Sequence, residues 1–416
     1  MTPVDLALER AWADSWPRVI GRLVRETHDL DLAEDATQDA FVTAMETWPR
    51  EGIPANPGGW LMTVARRKVL DRQRRATSLS RKLPFLIVPG EDDPDPIDAW
   101  HDDGLRLIFT CCHPTLAPEN RVALALRLIC GLDTGTIARL FLVTETTMAA
   151  RLTRSRKKIA VAGIAWRVPE PAEMPTRLPS VLDTIYLLFT AGHTRPVGDA
   201  LIDPLLLDRS ADLARIVAEL LPTEPEVLGL YALVTLSNAR RHARTDPSGC
   251  LVPLEEQDRD RWGRVAIAEG GQILERSLML TQGQIPGRFA TQAAIEAVHL
   301  EAPSFAQTDW VQLFALYTVL DVVAPSPLVK LNRAVVLARV AGPEAGLAAI
   351  ADLDLAADAS LGPTLALARA DLLRQAGEWS LAADAYRVAI SAMNNDAQRE
   401  FLAGRLSEME DAAMRG

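Results

Sequence analysis

The sequence predicts an all-α protein with two small helical domains followed by a larger C-terminal helical-repeat domain. Three observations carry that expectation. Apolar residues recur at three- and four-residue spacing almost throughout, as in Leu116, Val122, Leu126 and Ile129, and again in Leu365, Leu372 and Leu373. No period-2 apolar run bounded by turn residues marks a strand. Two proline-rich stretches then break the 416 residues into pieces: 1–82, a linker at 83–104, 105–168, a linker at 169–180, and 181–416.

Composition narrows the class of protein. Hydrophobic residues are 48% and charged residues 24%, ordinary for a soluble globular chain. Four cysteines are too few for a secreted disulfide framework, so reduced thiols and a cytoplasmic location are expected. The first ten residues include Asp5, Glu9 and Arg10 and lack the apolar core of a signal peptide. No apolar, uncharged run approaches the roughly 18 residues of a membrane span. The net charge of −11 argues against DNA binding until it is divided by segment. Residues 1–82 carry +1, 83–104 carry −7, 105–168 carry +7 and 169–416 carry −12. A basic module therefore lies between two acidic ones, and local fields govern phosphate binding more than net charge does.

The first piece contains two helices of different character. In 32–48, Leu32, Ala36, Ala40, Phe41 and Ala44 form an apolar face, and Glu34, Asp35, Gln38 and Asp39 an acidic one. In 56–75, Trp60, Leu61, Val64, Val69 and Leu70 form an apolar stripe beside Arg66, Arg67, Lys68, Arg72, Arg74 and Arg75. A basic helix with an aromatic ring suits opened nucleic acid, because cations hold phosphates while a ring stacks on bases. Plain core packing of Trp60 is the alternative. The stretch 84–103 that follows interleaves prolines with acids, a composition that extends a chain.

The middle piece predicts a helix-turn-helix. A first helix spans about Thr134 to Phe141, a turn falls at Leu142 and Val143, and Thr144 caps a second helix running to about Ile159. Ala138, Val143, Met148 and Leu152 pack the pair together. Thr146, Thr147, Ala149, Ala150, Arg151 and Arg154 stay on the exposed face. Short side chains at the start of such a helix let it approach base edges, and the cations Arg151, Arg154, Arg156, Lys157 and Lys158 meet phosphate or guanine. A solvated basic helix is the alternative.

Residues 366–390 look like a tetratricopeptide unit turning at Gly377, with Ala370, Ala382, Tyr386 and Ala389 at close-packing positions. A weaker copy at 332–353 turns at Gly342, 35 residues earlier. The densely charged stretch 239–262 reads as a salt-bridged loop around Asp246 to Gly249. Cys111, Cys112, His113 and Cys130 read as core rather than as a metal or redox site, because adjacent helical cysteines point about 100° apart and no CxxC spacing occurs.

The order of these parts resembles the extracytoplasmic-function sigma factors of bacterial RNA polymerase, within the sigma-70 family. AEDATQDAF (33–41) resembles the region 2 helix that docks on the polymerase, WLMTVARRKVLDRQRR (60–75) the helix that melts and reads the −10 element, and 131–159 the region 4 helix-turn-helix that reads the −35 element. LRLIFTCCHPTLAP (105–118), the turn at 141–143 and the charged stretch 239–262 resemble a subgroup with a long tetratricopeptide-like C-terminal extension.

The resemblance implies roles and partners. Asp35, Gln38 and Asp39 would face the β′ clamp of core RNA polymerase, and the β flap would be a further contact. Asn56 and Trp60 would hold the opened −10 strand, with Arg66, Arg67, Lys68, Arg72, Arg74 and Arg75 on its backbone; Arg67 stands where the general pattern often has Asn. Thr147, Ala149, Arg151, Arg154, Lys157 and Lys158 would engage the −35 duplex. The acidic linker would thread the RNA-exit path. The C-terminal part would regulate the sigma module in cis and offer its repeats to a protein or ligand, and no metal, cofactor or catalysis is implied. The competing readings are a stand-alone helix-turn-helix regulator with a repeat-type sensor domain, an enzyme in the C-terminal part, for which no familiar catalytic motif is present, and an interaction scaffold.

Overall fold

The computed structural model describes residues 2–79, 104–353 apart from 105, 142, 165, 171, 196, 282 and 352, and 362–415. Most of the acidic linker and Leu142 of the turn therefore lie outside the described residues. Among those residues the secondary structure is helical, with isolated bridges at Gly198–Asn395 and Thr245–Leu251 in place of strands. The chain forms two compact units, Met1–Leu188 and Phe189–Gly416.

The N-terminal unit begins with three helices: α1 (Pro3–Thr27), α2 (Leu30–Glu51) and α3 (Pro57–Leu79). Their ends are written locally. Thr2 and Asp5 form a reciprocal capping box on α1, and Asp29 accepts from the backbone of Asp31 and Leu32 at the start of α2. Asn56 Oδ1 accepts from Gly59 N at 2.9 Å and anchors the start of α3. The three helices pack on one another around Trp16, Ile20, Phe41, Trp48, Leu61 and Val69, all buried.

Helix α4 is formed at 106–111, followed by α5 (Pro118–Leu128), α6 (Thr134–Leu140) and α7 (Glu145–Val161). Ile137, Met148 and Leu152 are buried, with Val143 half-buried, so α6 and α7 pack through the face the sequence marks. The two halves of the unit also meet. Trp16 Nε1 donates to Leu128 O at 3.2 Å. Gly131, at φ 70°, follows α5; a side-chain carbon there would lie 2.7 Å from Trp12 Nε1 and 3.0 Å from the Trp16 ring, so the close approach needs glycine. Helix α8 (Met174–His193) starts in this unit, where Cys112 donates to Thr184 and Arg121 to Ser180.

The C-terminal unit holds α9 (Pro204–Leu220), α10 (Pro225–Ala239), α11 (Arg264–Leu280) and α12 (Arg288–Glu301), with α10 packed against the other three. Gly229 lets α10 meet the start of α12, since a Cβ there would lie 2.5 Å from Ala290 N. Then come α13 (Trp310–Val323), α14 (Pro327–Ala341), α15 (Pro343–Ala351), α16 (Gly362–Gln375), α17 (Trp379–Ala392) and α18 (Asp396–Arg415). Helices α14 and α15 are joined at Gly342, and α16 and α17 at Gly377, both with positive φ. Ala370, Ala382, Tyr386 and Ala389 are buried between the helices of the second hairpin and α18. Asn395 Nδ2 donates to Arg195 O and Ala200 O, tying the start of α18 to the start of the unit.

A partly buried polar cluster sits where the charged stretch meets α8 and α12. Arg240 pairs with Glu296 at 2.6 Å, and Arg244 donates to His193 O and Thr194 Oγ1. Burial, helped by the Arg244 and Arg240 charges, pushes His193 down to about 3. Burial opposes ionisation of Glu296, but Arg240 overrides it and holds that carboxyl at about 2. An unfolded histidine titrates near 6.5, so below that pH the unfolded chain takes up a proton that the folded one refuses. The stability due to neutral His193 is complete above about pH 6.5 and is lost as pH falls toward 3. Denaturation of the C-terminal unit should therefore cost about 1 kcal/mol less at pH 5.5 than at pH 7.5, and His193→Gln should flatten that slope. Parallel slopes for the two proteins would contradict the assignment.

Candidate nucleic-acid interface

The second helix of the helix-turn-helix is formed at its N-terminus by a capping hydroxyl. Thr144 Oγ1 accepts from Thr147 N at 3.2 Å and shares hydrogen bonds with the hydroxyls of Thr146 and Thr147. Asp133 caps α6 in the same way, accepting from Thr136 N at 2.9 Å. With Met148, Leu152, Ser155 and Ile159 buried, the opposite face of α7 is open. Thr146, Thr147, Ala149 and Ala150 lie exposed on its first turns, followed by exposed Arg154, Lys157 and Lys158 and half-buried Arg151. The result is a short-side-chain prow with cations behind it, a shape that fits a major groove. Lys158 also donates to Thr115 O, and Arg156 is not on the open face at all.

Helices α2 and α3 bring the second set of residues together. Trp60 is half-buried and meets Trp48 edge-on, with ring centroids 5.7 Å apart. Trp48 is sunk in the core while Trp60 keeps part of its surface open beside exposed Asn56. Arg67, Arg74 and Arg75 are exposed along α3, and Lys68 is half-buried. Arg66 and Arg72, expected to face phosphate, pair with carboxylates within the protein: Arg66 donates to Glu26 at 2.6 Å, and Arg72 lies 3.2 Å from Asp35 and 3.0 Å from Asp39. The acidic face of α2 and the basic face of α3 thus partly neutralise each other. Gln38 donates to Glu34 at 3.1 Å.

Glu34 departs from its sequence assignment. It groups with the exposed acids of α2 by pattern, yet it is 3% exposed. Its carboxylate accepts from Arg127 of α5 and Arg156 of α7, and Asp31 adds a contact to Arg156 at 3.2 Å. The partners lie 93 and 122 residues away, so no local spacing could reveal them. The same bridge moves Arg156 from an expected phosphate contact to an internal one.

Family models match three segments of the chain. Sigma-70 region 2 covers residues 14–78, sigma-70 region 4 covers 106–159, and a family of unknown function, DUF6596, covers 177–278. The chain is 30% identical over 152 residues to the ECF RNA polymerase sigma factor SigL of Mycobacterium tuberculosis, covering 84% of that protein and 36% of this one. The chain belongs to the sigma-70 family. A second sigma factor, SigE of Mycolicibacterium smegmatis, is 32% identical over 155 residues, which are 36% of this chain and 58% of SigE. The likeness to an uncharacterized protein of Rhizobium meliloti extends much further, with 39% identity over 357 residues, 84% of this chain and 83% of that one. No solved structure matches.

The match gives the two helical segments of the sigma factor their names. Region 2 spans most of α1 and all but the last residue of α3, and region 4 runs from α4 into α7. Both lie in the N-terminal unit, where the Trp16 and Glu34 contacts join them. The unknown-function family falls on α8 to α11 and includes the charged stretch 239–262. Within region 4, burial raises the Cys111 thiol well above its usual range and Cys112 to about 12, which makes them poor nucleophiles. Among the described residues no group of three metal-ligating side chains occurs, and no helix is long and apolar enough to cross a membrane.

Proposed function

We propose that this sigma factor is of the extracytoplasmic-function type, binds core RNA polymerase, recognises −35 and −10 promoter elements and melts the −10 strand. The observation that supports this reading is the presence of two separate open faces, on α7 and around Trp60, in one sigma-70 chain. The capped, open face of α7 suits duplex DNA, and the half-open Trp60 beside Asn56 suits an unstacked base. In this reading Thr147, Ala149, Arg151, Arg154, Lys157 and Lys158 engage the −35 element. Asn56, Trp60, Arg67, Lys68, Arg74 and Arg75 hold the −10 strand, joined by Arg66 and Arg72 once their carboxylate partners are exchanged for phosphate. Asp35, Gln38 and Asp39 meet the β′ clamp, and region 4 meets the β flap.

The C-terminal unit, with its tetratricopeptide-like hairpins at α14–α15 and α16–α17, regulates the sigma module in cis. Residues 189–416 carry −10 against +7 for 105–168, so the same chain supplies both an attraction for DNA and a repulsion from it.

The competing reading is a stand-alone helix-turn-helix regulator, and DNA binding with and without core polymerase separates the two. The sigma reading expects co-elution with core polymerase and duplex recognition that depends on it. Tight, sequence-specific duplex binding by the protein alone, with no polymerase association, would overturn it. For the cis role, a chain ending at Leu188 should initiate transcription at a different rate from the full chain, and equal rates would remove the regulatory proposal.

A further inference from the structure

Three arginines from successive helical layers of the C-terminal unit converge on one carboxylate. Arg339 is on α14, Arg374 on α16 and Arg405 on α18, with sequence separations of 35 and 31 residues. Their guanidinium nitrogens lie 3.6, 3.9 and 3.6 Å from Glu255, and Arg405 also donates to Glu256. The arginine side chains are 27%, 22% and 16% exposed. Asp371 and Glu408 hold Arg374 and Arg405 in place at 2.7 and 3.1 Å. Glu255 therefore touches all three cations, but each contact is longer than a good charged hydrogen bond. An occupant with better reach would gain from the same three donors.

The neighbouring residue is placed for a different contact. Leu254 lines a cleft of about 250 Å3 with His299, Phe305, Trp310, Tyr317 and Arg339. Phe305 and Trp310 meet edge-on with centroids 5.1 Å apart, and the Arg339 guanidinium lies 5.1 Å from the Phe305 ring and 5.5 Å from that of Trp310. The buried Nδ1 of His299 has no hydrogen-bond partner among the described residues. The cleft thus offers an aromatic wall, and Arg339 belongs both to it and to the arginine cluster. Leu254, Glu255 and Glu256 form a single turn of 3-10 helix that presents one apolar and two acidic side chains to this surface.

We infer that the face shared by α14, α16 and α18 is a docking site for an acidic peptide segment of a partner protein, with the Leu254–Glu256 turn as an internal mimic of that ligand. The ligand carries an apolar residue followed by two carboxylates. Charge complementarity selects it: with the turn displaced, Arg339, Arg374 and Arg405 outnumber their remaining partners Asp371 and Glu408, which leaves a cationic spot within a segment whose net charge is −12 from residue 169 onward. Binding displaces the turn, and the partner's carboxylates take over the three guanidinium groups. The inference stands whether or not the chain works with RNA polymerase.

The test uses the full chain and a labelled peptide with the turn's own sequence, LVPLEEQD (251–258), followed by fluorescence anisotropy. The Glu255→Gln/Glu256→Gln protein weakens the internal mimic and should bind the peptide about tenfold more tightly than the unmodified chain. Glu255→Gln alone, a milder change, should give about threefold. Adding Arg374→Ala to the double variant should remove most of the gain, and a peptide with Gln at both acidic positions should not bind. Equal affinity for both peptides, or no binding by the Gln variants, would overturn the proposal. Loss of fold in the Gln variants would also overturn it, because the turn would then be a fixed structural pin.

Discussion

Glu34→Ala is expected to destabilise the N-terminal unit by about 3 kcal/mol, because it leaves two arginines facing each other without their carboxylate. The Glu34 side chain is 4% exposed, and those of Arg127 and Arg156 are 14% and 18% exposed. Water replaces the lost partner poorly at such a site. Arg127 keeps a hydrogen bond to Leu132 O at 2.8 Å, so its position survives better than that of Arg156. Asp31 is 69% exposed and compensates Arg156 weakly. Arg156→Met in the Glu34→Ala background should recover part of the loss, since removing both partners is milder than removing one. Hydrogen exchange in the full chain is the suitable readout, with faster exchange expected in α2 and α7 and little change in α14 to α18. A loss below about 0.5 kcal/mol would show that the bridge is solvated in practice.

The second large effect is on activity. Arg151→Ala/Arg154→Ala should lower promoter-dependent transcription by roughly 30- to 100-fold while leaving thermal stability almost unchanged. A side chain that meets a base edge contributes about 1–3 kcal/mol, and the lower end of that range, about 1–1.4 kcal/mol for each of the two, gives 30- to 100-fold. Neither is needed for the packing of α7, which rests on Met148, Leu152, Ser155 and Ile159. Lys330→Ala, an exposed cation on α14, serves as the control and should leave transcription unchanged. If the control variant loses as much activity as the double variant, general electrostatics rather than promoter reading would explain the result.

Much of this architecture was legible in the sequence because the signals are local. Thr144 capping α7, the buried row Met148–Leu152 and the turns at Gly342 and Gly377 each depend on residues a few positions apart. Cys111, Cys112 and Cys130 are buried, as expected of thiols without metal-binding spacing. The contacts that escaped are long-range. Glu34 sits in an acidic pattern and differs from Asp35 only in what reaches it from α5 and α7. Arg66 and Arg72 read as phosphate ligands in sequence, and the carboxylates of Glu26, Asp35 and Asp39 that the helical bundle brings beside them carry no local signal. Arg339, Arg374 and Arg405 are unremarkable in sequence, and only the stacking of α14, α16 and α18 makes them one surface. Charge patterns mark candidate interfaces, but tertiary packing decides which charges remain available to a partner.

Run-off transcription with purified bacterial core polymerase, the full chain and a library of genomic fragments that includes the DNA upstream of its own coding sequence separates a sigma factor from a stand-alone regulator. A sigma-factor role predicts transcripts with fixed start sites that appear only when the protein is added and that fall sharply with the Arg151→Ala/Arg154→Ala variant. Absence of such transcripts, together with failure to co-elute with core polymerase, would contradict it.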